Sequence, residues 1–354
     1  MVDNTLHKPT PRALRSAQHS TKNPESAKLC HKAAAEQRKL HLVECSRVVE
    51  LAEPADSGKR DGARRLADYI HRTLEAGLAA DGGSDEESHD SGNEEGGGPD
   101  WPNVAVRDRE MLNVDKFRGW LEGRLSGKLE KLIYQPFADF VQYVACWVEA
   151  SMSAGGTDAA ADRIQPQRAL LACNLDLQPT GLDEPIRLDA ILVAQSDTTA
   201  VGRLDRANYR DALALVEVKP TINQLDQAYE QLLRYSRQVY ATQHNRSFVW
   251  GFTLCDRVLR VVLFTNDHAV ASDDMDLGTR KGRRAFIRVL VGLSCCDEQR
   301  LGYDKTVVWH AGTGPQNRGY WTIECTEQRD AADGEAQQTV TYYARDPDIV
   351  AERL

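Results

Sequence analysis

The sequence predicts an α/β or α+β domain, a mixed sheet flanked by helices, over residues 101–330 of a 354-residue chain. Three observations carry that expectation. Apolar residues recur every three to four positions in some segments and every second position, or without interruption, in others, which separates amphipathic helices from buried strands. These segments follow one another as α, β, β, β, α, β, β, α, an order that suits a sheet with helices packed on it. The excess polarity lies elsewhere: mean hydropathy is −0.51, yet most of it comes from the N-terminal hundred residues.

Residues 1–60 read as a mostly disordered tail, because the first 35 mix Pro, Ser, Lys and His without apolar periodicity and cannot bury enough surface to offset chain entropy. In residues 61–80, Leu66, Ile70 and Leu74 recur every four positions beside Tyr69 and predict a short amphipathic helix. Residues 81–100 hold eight acids and no Lys or Arg, spaced by glycines, which makes them a flexible, self-repelling linker. Taking these acids from the net charge of −9 leaves −1. The folded part is therefore near neutral, and local charge, not the acidic total, decides whether it can meet an anion.

Order is expected to resume near Trp101. Asp115 should cap a short helix over 115–122, and 128–152 should form a long one with Leu132, Phe140, Val144 and Val148 on one face, kinked or delayed at Pro136. Strands are predicted over 168–175, 186–194 and 212–218, with the polar insertion 195–211 looping out. A second helix over 223–243 places Leu225, Ala228, Leu232, Tyr235 and Val239 on one side. Two strands, 247–254 and 258–265, flank Cys255, Asp256 and Arg257 as a hairpin. A helix over 284–293 and strands over 306–309, 320–325 and 339–344 follow, so that 331–354 holds a last strand and tail. Trp250 and Trp309, both in apolar runs, are expected in the core.

Membrane residence and a disulfide scaffold are not expected. No run approaches the roughly 18–20 apolar residues of a membrane span, and the polar start MVDNTLHKPTPR has no apolar signal core. The eight cysteines include no C-x-x-C pair, so reduced thiols and an intracellular protein, cytoplasmic or nuclear, are expected.

Chemistry centres on Glu217-Val218-Lys219. Alternation along a strand puts Glu217 and Lys219 on one face, roughly 6.5–7 Å apart along the chain. Asp189 interrupts the apolar run of the preceding strand, and such an acid needs a partner, a hydrogen bond or a metal. Asp189 and Glu217 from neighbouring strands could together hold Mg²⁺ or Mn²⁺, hard cations that take oxygen ligands and keep several waters. Lys219 could then position or activate a water or stabilise charge on a phosphate. The basic run Arg280, Lys281, Arg283 and Arg284, where a loop enters a helix, could clamp phosphates, or could balance Asp273, Asp274 and Asp276 as a solvated turn. Cys295, Cys296, His268 and His310 could form a cluster only if folding joins them.

An Asp followed by Glu-x-Lys on adjacent strands, with a helix on each side, resembles the PD-(D/E)xK nuclease superfamily, with Leu188-Asp189 standing in place of Pro-Asp. The resemblance implies a restriction-endonuclease-like fold, a first-helix acid matched by Glu130, and a following-helix glutamine matched by Gln231, with Gln224 and Gln227 as neighbours on the same helix. It implies nucleic acid as the partner.

Six short blocks are also similar, in order, to the region upstream of the catalytic lobes in the fungal-type protein kinase family. They are EKLIY at 130–134, RLDAILV at 187–193, VEVK at 216–219, QLLRY at 231–235, RSFVWG at 246–251 and LGYD at 301–304. That resemblance implies a nuclease-like module that precedes a kinase domain in a longer gene product. The 354 residues contain no glycine-rich phosphate loop before a V-A-I-K strand, no H-R-D and no D-F-G, so no kinase activity is expected of them. The alternatives are a non-catalytic regulatory or scaffold module and a fragment of a kinase.

Overall fold

The structure, a computed structural model, describes residues 42–44, 47–80, 113–153, 166–174, 188–194, 209–265, 267–310, 320–329 and 336–344. The expected tail up to residue 41, the acidic linker, Trp101 and most of the 195–211 insertion lie outside the described residues.

The mixed sheet flanked by helices is present. Its strands are β1 (Leu42–Glu44), β2 (Leu170–Asn174), β3 (Ala190–Ala194), β4 (Ala214–Lys219), β5 (Val249–Cys255), β6 (Val258–Phe264), β7 (Ala269–Ala271) and β8 (Met275–Asp276). They lie in the order β1-β7-β6-β5-β4-β3-β2, with β8 also pairing β6. β2, β3 and β4 form an antiparallel meander. β4 and β5 are parallel, in register Glu217 with Thr253 and Lys219 with Cys255, because helix α5 (Leu225–Thr242) carries the chain back across the sheet. β5 and β6 form the expected hairpin. Asp256 closes its two-residue turn at a φ of 58°, a conformation that Asp tolerates better than most residues.

The other helices are α1 (Val48–Leu51), α2 (Ser57–Ala80), α3 (Asp115–Leu121), α4 (Lys131–Ser153) and α6 (Arg280–Cys295). Neighbouring strand residues point to opposite faces, and β5 shows which helices cover each. Phe252 meets Phe286 of α6 edge-on, and Phe137 and Phe140 of α4 stack on the same ring. A methyl group on the preceding residue, Gly251, would instead strike Phe264 of β6 and crowd Leu232 of α5. One layer thus holds α4 and α6, with Phe117 and Trp120 of α3 packed edge-on against them, and the other holds α5. Each such buried aromatic contributes about 1.5–3 kcal/mol of transfer free energy.

Several expectations change in detail. Asp115 is the first residue of α3, not its cap; the Asn113 side chain accepts from the Asp115 N–H at 2.8 Å. α4 begins three residues late, at Lys131, and contains Pro136 in its second turn. The stretch up to residue 60 forms β1, α1 and the start of α2, because it has partners in the later chain that local sequence does not reveal. β1 pairs β7 in parallel. Glu53, buried, accepts from Arg64 and Arg288; burial alone would raise its carboxyl, but these guanidinium hydrogen bonds hold it below the usual range. α2 lies against α6, so the domain does not start at residue 101.

The strands after α6 also depart from a single sheet. β9 (Val307–His310), β10 (Tyr320–Arg329) and β11 (Ala336–Ala344) form a separate antiparallel sheet. It adjoins the larger domain where His244 meets Trp321 edge-on. Trp309 is therefore 42% exposed rather than in the core: β9 pairs with β10 alone. Trp250 is fully buried, its indole N–H donating to the Arg300 carbonyl at 3.0 Å.

Candidate functional site

β4 is buried along its whole length, so the two ionisable side chains at its end are taken out of water with it. Glu217 and Lys219 project from the same face, 1% and 5% exposed. Lys219 Nζ donates to Glu217 Oε1 at 2.6 Å and lies 3.6 Å from Glu130 Oε2. Asp189 sits in a bend immediately before β3, not within the strand. Since Ala190 pairs Val216 in antiparallel register, that bend falls opposite Glu217. The Asp189 Oδ2 atom accepts the Val218 N–H at 2.8 Å, so a side chain takes over where the backbone ladder stops.

α4 completes the cluster. Glu130, the residue just before α4, and Tyr134 in its first turn lie four positions apart and meet over the strand ends. The Tyr134 hydroxyl lies 2.6 Å from Glu130 Oε1 and 2.5 Å from Asp189 Oδ1. Glu130, Asp189, Glu217 and Lys219, drawn from three elements, thus converge as the sequence expects, and Tyr134 joins them. Tyr134 was legible in EKLIY through its four-residue spacing from Glu130, but a tyrosine carries no charge pattern to single it out.

Three acids around one ammonium make the cluster electronegative, and burial amplifies the effect. Burial, then the neighbouring Asp189, pushes the Glu217 carboxyl up to about 9. Burial raises Asp189 to about 6, against the pull of its hydrogen bonds from Tyr134 and Val218. Burial opposes the Lys219 charge, yet Glu217, Asp189 and Glu130 together raise its ammonium above the ordinary value. The tyrosine hydroxyl is also raised, by burial and by the two acids it faces. The Asp189–Glu217 pair therefore retains a proton at neutral pH.

Behind Glu217 lie further polar groups. Its Oε2 atom, the Thr253 hydroxyl, the Tyr209 hydroxyl and Gln231 Oε1 are all buried without a hydrogen-bond partner. Gln231 reaches the cluster only through Tyr235, to which it hydrogen-bonds and which feels both Glu217 and Asp189. Gln224 and Gln227 bond each other at an exposed position.

The basic run is not brought to this cluster as a free clamp. Arg283 makes a bidentate pair with Glu75 of α2, at 2.7 and 2.8 Å, and Arg284 another with Asp68, at 2.8 Å for both contacts. Arg280 gives its carbonyl to the His71 ring, 3.1 Å away, while the Arg280 and Lys281 side chains are exposed. The partners are α2 acids more than 200 positions away, not Asp273, Asp274 or Asp276. Burial pushes the Cys295 and Cys296 thiols up to about 12, so they stay protonated. His268 pairs with Asp267, and His310 with Thr322.

Residues 187–351 match the model of a family described as fungal protein kinase. The matched stretch, a little under half of the chain, takes in Asp189, Glu217, Lys219 and Gln231 and leaves out Glu130. No curated protein and no solved structure matches the chain significantly. No helix among the described residues is long and apolar enough to cross a membrane.

Proposed function

We propose, starting from the similarity to fungal protein kinases, that this chain is a kinase-associated, nuclease-like module whose acidic cluster is a Mg²⁺- or Mn²⁺-dependent phosphodiesterase site. One observation carries the reading: Glu130, Asp189 and Glu217 converge on Lys219 at the carboxyl end of β4. The surrounding order, α4-β2-β3-β4-α5-β5, is consistent with a restriction-endonuclease-like fold.

The residues fit a hard divalent cation. Glu217 Oε2 is buried without a partner, and the acids outnumber the lysine. Among the described residues no group of three or more His, Cys, Asp and Glu side chains is arranged to hold a metal ion. The ligand set is accordingly Asp189 and Glu217 with water completing the octahedron, and Glu130 contributes charge beside Lys219. A bound cation would supply a more acidic water and a counter-charge for phosphate. Lys219 orients that water and neutralises charge developing on the phosphate oxygens; Gln231 steadies the site through Tyr235. Nucleic acid is the substrate class, and a kinase domain in a longer gene product is the partner.

A second reading rests on its own observation. Both Asp189 oxygens and the Lys219 ammonium are already satisfied within the protein, as expected of a structural ion network in a non-catalytic regulatory or scaffold module. Incubation of the full chain with labelled single- and double-stranded DNA and RNA separates the two. Metal-dependent cleavage, abolished by EDTA and by Lys219→Ala, is the expected result. A cooperatively folded protein that cuts none of the four substrates would select the scaffold reading.

A further inference from the structure

Tyr134 is placed unlike the other aromatic residues of α4. Phe137 and Phe140 serve the core, whereas Tyr134, half-buried, directs its hydroxyl between two carboxylates. Side-chain exposure falls from 30% at Glu130 to 6% at Lys219 and 2% at Glu217, so Glu130 marks the outer end of the cluster and Glu217 its base. Tyr134 bridges the outer acid to Asp189. The contacts of 2.5 and 2.6 Å are at the short limit for hydroxyl–carboxylate bonds, the strong class in which one partner is ionised. They use Asp189 Oδ1 and Glu130 Oε1, while Asp189 Oδ2 is already committed to Val218. Both Asp189 oxygens thus already accept a hydrogen bond, and an incoming ion meets the hydroxyl at Oδ1.

We infer that Tyr134 is a cover on the acidic cluster, and that a divalent cation and the Tyr134 hydroxyl compete for the Asp189 Oδ1 atom. This rests on the reading of that cluster as a cation site, and adds to it a device that sets its affinity. The hydroxyl belongs to α4 and is not part of the β3–β4 ladder. The hydroxyl has a single proton to donate, so each cation that enters displaces it from Asp189 Oδ1, and affinity is reduced by the net worth of that hydrogen bond. Tyr134 does not act on substrate; it is a positioning residue whose removal should strengthen cation binding.

The test is Mn²⁺ binding to the full chain, followed by water-proton relaxation enhancement, for the unsubstituted protein, Tyr134→Phe and Glu217→Gln. Phenylalanine keeps the ring in place and deletes only the hydroxyl. Tyr134→Phe is expected to bind Mn²⁺ about ten- to a hundredfold more tightly at unchanged stoichiometry, which is what losing one competing hydrogen bond to a carboxylate amounts to. Glu217→Gln is expected to lose binding. A measurement that needs no variant accompanies these: Mn²⁺ added to the unsubstituted protein should change the tyrosine ultraviolet absorption, and the same change should be missing from Tyr134→Phe. Equal or weaker Mn²⁺ binding by Tyr134→Phe, with binding by the unsubstituted protein intact, would overturn the cover and leave the cation site standing. If neither protein binds Mn²⁺, the cation site itself fails and the cover falls with it.

Discussion

Replacing Glu217 by glutamine isolates the proton that the buried cluster retains. The Glu217 carboxyl is raised from 4.5 to about 9 by burial and by Asp189. Between these values the folded protein holds a proton there that the unfolded chain has released. The stability this group confers is thus complete below its unfolded value and is lost as pH rises toward 9, at about 1.4 kcal/mol per unit. From pH 7 to 8.5 the loss comes to about 2 kcal/mol. The other shifted carboxylates among the described residues, and His71, change below this window. Asp189, raised to about 6, has titrated below it. His71, lowered from 6.5 chiefly by burial, also changes below it. The raised thiols of Cys255, Cys295 and Cys296 begin to differ from the unfolded chain at the top of the window and add a smaller loss, of about 0.5–1 kcal/mol in all, that the unsubstituted protein and Glu217→Gln share. Urea unfolding of the full chain at several pH values across the window, read as midpoint and slope, is the assay. The unsubstituted protein should weaken steadily, and Glu217→Gln, which cannot ionise at that position, should lose about 2 kcal/mol less across the window. Equal pH dependence of the two proteins would refute the assignment of the retained proton to this cluster.

Three further outcomes follow from the geometry. Arg246, 5% exposed, donates to Gln243 Oε1 at 2.8 Å and to the carbonyls of Ala212, Leu213 and Leu301, with its guanidinium 4.0 Å above the Tyr303 ring; Arg246→Met should cost about 3–5 kcal/mol in urea unfolding, because it strands several buried acceptors, and a loss below about 1 kcal/mol would count against that hub. A double-mutant cycle on Glu75→Gln and Arg283→Gln should give a coupling of about 1–3 kcal/mol for their half-buried bidentate pair, whereas additivity would mean that the pair contributes nothing to joining α2 and α6. Cys255, Cys295 and Cys296, all buried and protonated, should resist thiol labelling, mapped by mass spectrometry, until the protein unfolds; rapid labelling of any of them in the native state would contradict their placement.

The cluster was legible where its pattern is local. Strand alternation places Glu217 beside Lys219 whatever the rest of the chain does, and Asp189 stands out because an acid in an apolar run demands a partner. Glu130 could be picked by its resemblance to the family's first-helix acid, though not by spacing, since nothing in a surface-helix sequence distinguishes it from its neighbours. The Tyr134 contact was hidden because a hydroxyl between two acids depends on how α4 approaches the bend before β3. The basic run misled for a different physical reason. Arg283 and Arg284 look free when only nearby acids are considered, and Glu75 and Asp68 reach them only through the packing of α2 on α6. Trp309 misled through alternation: an apolar strand has two faces, and only the topology tells whether a helix covers one of them.

The α2 helix meets α3 and α6 with at least one side chain in every hydrogen bond and no backbone-to-backbone bond among the described residues. Asp68, His71 and Glu75 engage α6, Leu66, Ile70 and Leu74 are buried beside it, and α2 is tied covalently to α3 only through residues 81–112. A single backbone cut anywhere in that stretch would leave every one of those contacts intact. The protein would then be a complex of two polypeptides, held by mass action: stable when concentrated, coming apart on dilution, and able to be rebuilt by mixing an N-terminal piece with a C-terminal one.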